Sequence, residues 1–202
     1  CFEVSLHQVP RAIRGECELV FPDLLPFLAI KKPAGDGREL LALPTMHRSD
    51  FGILERNDKT EGERLRLFLR FSQFALALKA LLSEVDPGSF ATFPDIDGGA
   101  AVGQSSVTIY DEVSSTKSLL GYRVFLYMGV QIIDHPNWGF CNLAVHTILL
   151  YARPLQAQAV LLQLAAKDAS CFTNVKTGAD PAPLAASDRA VGPSAGTERP
   201  AP

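Results

Sequence analysis

The side chains best suited to chemistry in this chain are two histidines and a scatter of carboxylates. His135 follows Asp134 directly, and His146 lies further along in the apolar stretch Leu143–Tyr151. An imidazole beside a carboxylate can take up and return a proton near neutral pH. His135, Asp134 and His146 would therefore form a general acid/base set if the segments carrying them faced each other across a strand pair. Their settings point elsewhere. His135 precedes Pro136 in a turn-forming run, where an imidazole caps backbone groups, and a histidine in an apolar strand is expected to be a satisfied core residue. Asp95, Asp97 and Asp111-Glu112 supply enough oxygens for a cation, but they lack the regular alternation of a calcium loop and read as turn chemistry. The glycines of Asp97–Gly103 lack both the Lys-Ser/Thr of a phosphate loop and a surrounding βαβ unit, so they are expected to permit tight turns. No Gly-x-Ser-x-Gly occurs. Cys1, Cys17, Cys141 and Cys171 show neither a CxxC pair nor zinc-like spacing, and a pairing of Cys141 with His146 has nothing in the sequence to support it. Free thiols, mostly buried, in a reducing compartment are the expectation. Lys31-Lys32 and Arg64, Arg66 and Arg70 read as solvated basic faces. No catalytic, cofactor-binding or metal-ligating residue is assigned, and neither enzymatic activity nor a cofactor is expected.

The elements that would position these groups follow from pattern. At 202 residues the chain is long enough for one well-packed domain, and its net charge of −3 argues against a nucleic-acid partner. A hydrophobic content of 47% and a mean hydropathy of +0.11 are accounted for by a large core, with apolar surface buried on a partner as the other reading. No apolar run is long enough for a membrane span. Phe2–His7 alternates as a half-buried strand. Pro10 opens a short helix over Arg11–Phe21. Pro26–Lys32 and Arg38–Leu43 are predicted as a hairpin joined by the turn-rich Lys32–Gly37. Glu61–Ser83 is the clearest helix, with Leu65, Phe68, Phe71, Ala75, Leu78 and Leu82 at helical spacing and further leucines around them. Such a helix is expected to be central to the domain and covered on more than one side, with a second subunit as the alternative cover. Phe90–Phe93 is a short strand, and a short helix falls near Tyr110–Lys117. Gly121–Asp134 and Asn142–Tyr151 are predicted as two long strands joined by the turn His135–Gly139, and Leu155–Lys167 as a final helix. Trp138, the only tryptophan, is either a partner anchor or a core plug.

The expected organisation is a domain over residues 1–170 followed by a Pro/Ala/Gly-rich tail, 171–202. From Thr177 onward the tail cannot bury enough surface to order by itself, so it is expected to lie on a partner. The chain opens on Cys1 rather than Met, which is compatible with a removed leader.

A family resemblance is carried by Gly98-Gly99, Gly103, Glu112, Leu120-Gly121-Tyr122 and His135 with Trp138-Gly139. These residues match a Gly-rich turn, a polar helix with a Glu, a Leu-Gly-Phe and a His-x-x-Trp-Gly, and the spacing from Gly121 to Gly139 fits without a gap. In that pattern the chain resembles the cobalamin-trafficking D protein family (methylmalonic aciduria and homocystinuria type D, MMADHC-like). The match is most specific over Asp97–Ala152. It implies an α+β fold, a mostly antiparallel sheet with packed helices on a nitroreductase-like scaffold. It also implies a protein that binds neither flavin nor cobalamin alone and acts by docking a C-type cobalamin-processing partner. The family's Gly-Cys-Cys falls on Met128-Gly129-Val130, so the cysteine implicated there in cobalt coordination is absent. Gly129 and Val130 offer no soft thiolate.

Two functions remain. One is a structural accessory subunit of a larger mitochondrial assembly, with other protein subunits as partners. The alternative is a cobalamin-trafficking adaptor, mitochondrial or cytoplasmic, that docks its cobalamin-processing protein without supplying a cobalt ligand.

Overall fold

The computed structural model describes residues 2–29, 36–95, 109–167 and 172–177. It is an α+β fold built on a five-stranded sheet, with a separate two-stranded sheet beside it.

The sheet is organised by two long apolar segments. β2 (Glu39–Arg48) and β6 (Leu143–Ala152) pair antiparallel along their whole length, from Glu39↔Ala152 to Arg48↔Leu143. β1 (Phe2–Gln8) adds antiparallel to the other side of β2. Pro44 has no N–H to give, and the β1–β2 ladder passes from Val4↔Thr45 to His7↔Ala42 across it. β3 (Phe90–Thr92) covers only the end of β6, Phe90↔Tyr151 to Thr92↔Leu149. β7 (Phe172–Thr177) runs parallel to β1 and closes the other edge, so the order is β3-β6-β2-β1-β7. Six residues assigned by composition to the tail thus belong to the sheet. β1 is expected to be half-buried, but a neighbour on each side leaves even Glu3 and Ser5 buried.

Alternation along β2 and β6 sends side chains to two cores. Leu41, Leu43, Ile148 and Leu150 meet α3 (Asp58–Val85) and α5 (Pro154–Lys167) through Phe71, Leu78, Leu82, Val160 and Leu161. Leu40, Ala42, Leu149 and Tyr151 meet α1 (Arg11–Val20) through Ile13, Cys17 and Val20, one face of that helix. Asn57 starts α3 with a reciprocal cap: its side chain accepts from the Thr60 N–H at 3.1 Å, and its own N–H donates to Thr60 Oγ1 at 3.0 Å.

Three expectations are corrected. Pro26–Ala29, predicted as the start of a strand, lies in a short helix, α2 (Leu25–Ala29). The proline ring fixes φ near the helical value, so Pro22 and Pro26 suit a first helical turn, and Phe27 in α2 stacks on Phe90 with ring centroids 4.8 Å apart. Among the described residues, Pro26–Ala29 accordingly form no hairpin with Arg38–Leu43, and Ile30–Lys32 lie outside them. Among the described residues α3 is covered on one side only, as an outer layer, and Leu65, Leu69 and Leu76 stay about half exposed along its back. Finally, Gly121–Asp134 is not one strand. It divides into β4 (Arg123–Tyr127) and β5 (Val130–Asp134), an antiparallel hairpin that does not pair with β6.

Candidate functional site

The motif residues from Gly121 to Gly139 frame this hairpin. Gly121, at φ +66°, ends α4 (Glu112–Leu120), and its N–H returns to the Lys117 carbonyl at 2.9 Å. The two-residue turn is Met128-Gly129, with φ +49° and +84°. Positive φ at both positions is the type I′ geometry that matches strand twist, and it explains a glycine at the second position. Gly129 therefore stands in the turn and Val130 at the first position of β5, at an exposed tip rather than in the middle of one long strand. Met128 is 88% exposed, Leu126 71% and Val130 63%.

His135 holds the hairpin at its root. Its Nδ1 accepts from the N–H groups of Asn137 and Trp138, each at 3.2 Å. That bonding places the proton on Nε2, which donates to Glu3 Oε2 on β1 at 3.3 Å. Trp138 stacks on the imidazole at 4.2 Å with the rings 14° apart, and Tyr122 meets it edge-on at 5.4 Å. Gly139 closes the turn, donating its N–H to the His135 carbonyl at 2.9 Å. The expected backbone-capping role of His135 is what this bonding shows, and Trp138, partly buried, plugs the root of the hairpin. Burial and the nearby Glu3 carboxylate push the Tyr122 phenol up to about 12.

His135 and His146 do not face each other across a strand pair. His146 has its own carboxylate, Glu112, and the two meet at the edge of β6. β3 stops at Thr92, so the Thr147 N–H beyond its end is unpaired in the sheet, and Glu112 Oε1 accepts it at 3.0 Å. Glu112 Oε2 lies 4.0 Å from His146 Nδ1. The His146 ring stacks on Phe71 at 4.6 Å and meets Phe68 and His47 edge-on. The Nε2 atoms of His146 and His47 and the hydroxyl of Thr147 are buried without a hydrogen-bond partner. His146 is thus in the core as expected, but not satisfied there. Desolvation lowers the His146 imidazole to about 4. Desolvation, with a smaller push from Asp111, raises the Glu112 carboxyl to about 8 against the stabilising Thr147 N–H. Near neutral pH the pair is a protonated carboxyl beside a neutral imidazole.

Glu112 and His146 open onto a groove of about 500 Å³ whose wall is Pro94, Asp95, Ile109, Tyr110, Asp111 and Val113. Asp111 caps the start of α4 by accepting the Ser114 N–H at 2.9 Å, a helix-end role rather than that of a turn. Asp97, Gly99 and Gly103 lie outside the described residues, as do Lys31-Lys32, Cys1 and Cys171. Among the described residues no three His, Cys, Asp or Glu side chains gather as a metal site, and no helix is long and apolar enough to cross a membrane. The basic residues of α3 are not simply solvated. Arg66 pairs with the buried Glu63, which it holds down at about 2, and Arg64 pairs with Glu61 and donates to the Ile53 carbonyl.

Glu3, His47 and Thr147 take part in these sites without any mark in the sequence reading. The apolar runs around His47 and His146 show that both lie in strands, but only the register, Thr45↔His146 and His47↔Ala144, brings them together. No protein-family model matches the chain, and no curated protein matches it.

Proposed function

We propose that this chain is a non-enzymatic protein-interaction module, an accessory subunit of a larger mitochondrial assembly, on the nitroreductase-like scaffold of the MMADHC-like family. The observation that supports this reading is the β4–β5 hairpin. A two-stranded sheet is marginal in water by itself, yet this one is tied at its root by His135 and carries Leu126, Tyr127, Met128 and Val130 exposed at its end. Holding four large apolar side chains in water costs solubility unless a second surface covers them. The uncovered back of α3 adds Leu65, Leu69 and Leu76 to that apolar surface. The partners on this reading are other protein subunits.

The test is the native size of the chain in its own organelle. The wild-type chain should migrate in a large assembly, and Leu126→Asp with Met128→Asp should release it as a folded monomer. A wild-type chain that migrates alone overturns the reading.

One observation favours the adaptor as a second reading. Gly121, His135, Trp138 and Gly139 frame the β4–β5 hairpin, so these family-like residues serve one element. On that reading the hairpin docks a C-type cobalamin-processing protein, and Gly129 and Val130 leave the cobalt without a protein thiolate. The chain should then change the visible spectrum of cobalamin only when that partner is present. An unchanged spectrum in the ternary mixture removes the adaptor.

A further inference from the structure

We propose that the groove at the edge of β6 binds a primary ammonium group on a short apolar stem, its nitrogen bridging Glu112 Oε2 and His146 Nδ1. Those two atoms are 4.0 Å apart, too far for a direct hydrogen bond and close enough for one nitrogen to reach both. Both atoms can accept from the ammonium: Oε2 once Glu112 gives up its proton to solvent as the cation arrives, and Nδ1 in the tautomer that carries its proton on Nε2. Charge and shape agree with this ligand. Asp95, Asp111 and Glu112 line the groove and no Lys or Arg does among the described residues, while Pro94, Ile109 and Val113 offer an apolar wall. A volume of about 500 Å³ is in the range of small-ligand pockets.

The bonding of Glu112 also selects among cations. Oε1 already accepts the Thr147 N–H, so only Oε2 is free for a ligand. A guanidinium fork needs both carboxylate oxygens for its paired bonds, whereas an ammonium is a point charge with three separate donors. A divalent metal would need more oxygen or nitrogen ligands than these two. The raised Glu112 carboxyl agrees from the protein's side: it is largely desolvated, with no Lys or Arg paired to it among the described residues, and an ammonium supplies the counter-charge.

The test titrates n-butylammonium chloride, n-butanol, butyrate and methylguanidinium into the full chain and follows the His146 ring nitrogens by NMR. Saturable binding of butylammonium, with the other three at least about tenfold weaker, supports the proposal. Glu112→Gln should weaken butylammonium by at least about tenfold, the loss expected when a charge-assisted bond goes. A capped lysine peptide separates the sources: tighter binding than butylammonium assigns the ammonium to a protein side chain, weaker binding to a free amine. Equal binding of butanol, or no saturable binding of butylammonium, overturns the proposal and leaves a water-bridged pair. These comparisons use the wild-type chain and stand even where the variant does not fold.

Discussion

At the hairpin root and at the edge of β6 the molecule places the same two residue types in contact, with opposite results. Glu3 and His135 are both buried, and both imidazole nitrogens of His135 are bonded, so the pair joins β5 to β1 as a fastener. Glu112 and His146 stand 4.0 Å apart with one imidazole nitrogen buried and unpartnered, on the wall of a groove. A buried polar pair that satisfies its hydrogen bonds contributes a fixed geometry. One that leaves them open holds free energy that a ligand can recover. The difference lies in neighbours rather than in residue type. His135 has two turn N–H groups aimed at Nδ1, whereas His146 is enclosed by Phe68, Phe71 and His47.

The largest effect that tests this contrast is expected at the root. His135→Ala leaves the Glu3 carboxylate buried without the imidazole, removes the acceptor for two N–H groups and unstacks Trp138. It should cost about 3 kcal/mol in urea denaturation and make the β4 and β5 amides exchange freely while β2 and β6 stay protected. A cost below about 1 kcal/mol with unchanged exchange would mean that the pair is not what fastens the hairpin.

The open pair should instead announce itself through pH. The Glu112 carboxyl is raised from 4.5 to about 8, so the folded chain binds more protons than the unfolded one in that interval, and stability falls as pH rises through it. The His146 imidazole is lowered from 6.5 to about 4, which has the opposite slope and offsets Glu112 up to about pH 6.5. A net loss is left between pH 6.5 and 8, on the order of 1–2 kcal/mol. Chemical denaturation across that range should show the loss in the wild-type chain and a flatter curve for Glu112→Gln. Parallel curves for the two proteins would break the contrast between a satisfied and an unsatisfied pair.

How much of this could be read beforehand depends on the range of the interactions. β2, β6, α3 and α5 are written in local pattern, and their bounds came within a few residues except at the Arg48 end of β2. The α+β class follows from them. Pro26 was ambiguous because a proline fits both an edge strand and a first helical turn, and the choice was made by Phe27 packing on Phe90. Glu3 gives no local sign of its role because its partner is 132 positions away. The motif histidine was visible, with its capping role, but the clamp it makes was not. His146 was visible as a core histidine. Its open bonding depends on the Phe68, Phe71 and His47 rings packed around it, a tertiary fact that no local pattern records.

The hairpin itself was missed for a local reason, and this yields the smallest prediction. A two-residue turn of type I′ is announced by Asn-Gly or Asp-Gly, and Met128-Gly129 reads instead as the interior of an apolar strand. Met128 holds φ +49°, a left-handed conformation that costs an ordinary side chain about 1 kcal/mol and asparagine less. Met128→Asn should therefore stabilise the hairpin by roughly 0.5 kcal/mol, measured as slower amide exchange in β4 and β5. The same substitution removes the most exposed apolar side chain of the tip. If the tip is a contact surface, the variant gains hairpin order and loses assembly, because a strained methionine there serves a partner rather than the turn. Slower exchange with assembly intact would place the contact elsewhere, on the uncovered leucines of α3, and would leave His135 as the fastener of a purely structural flap.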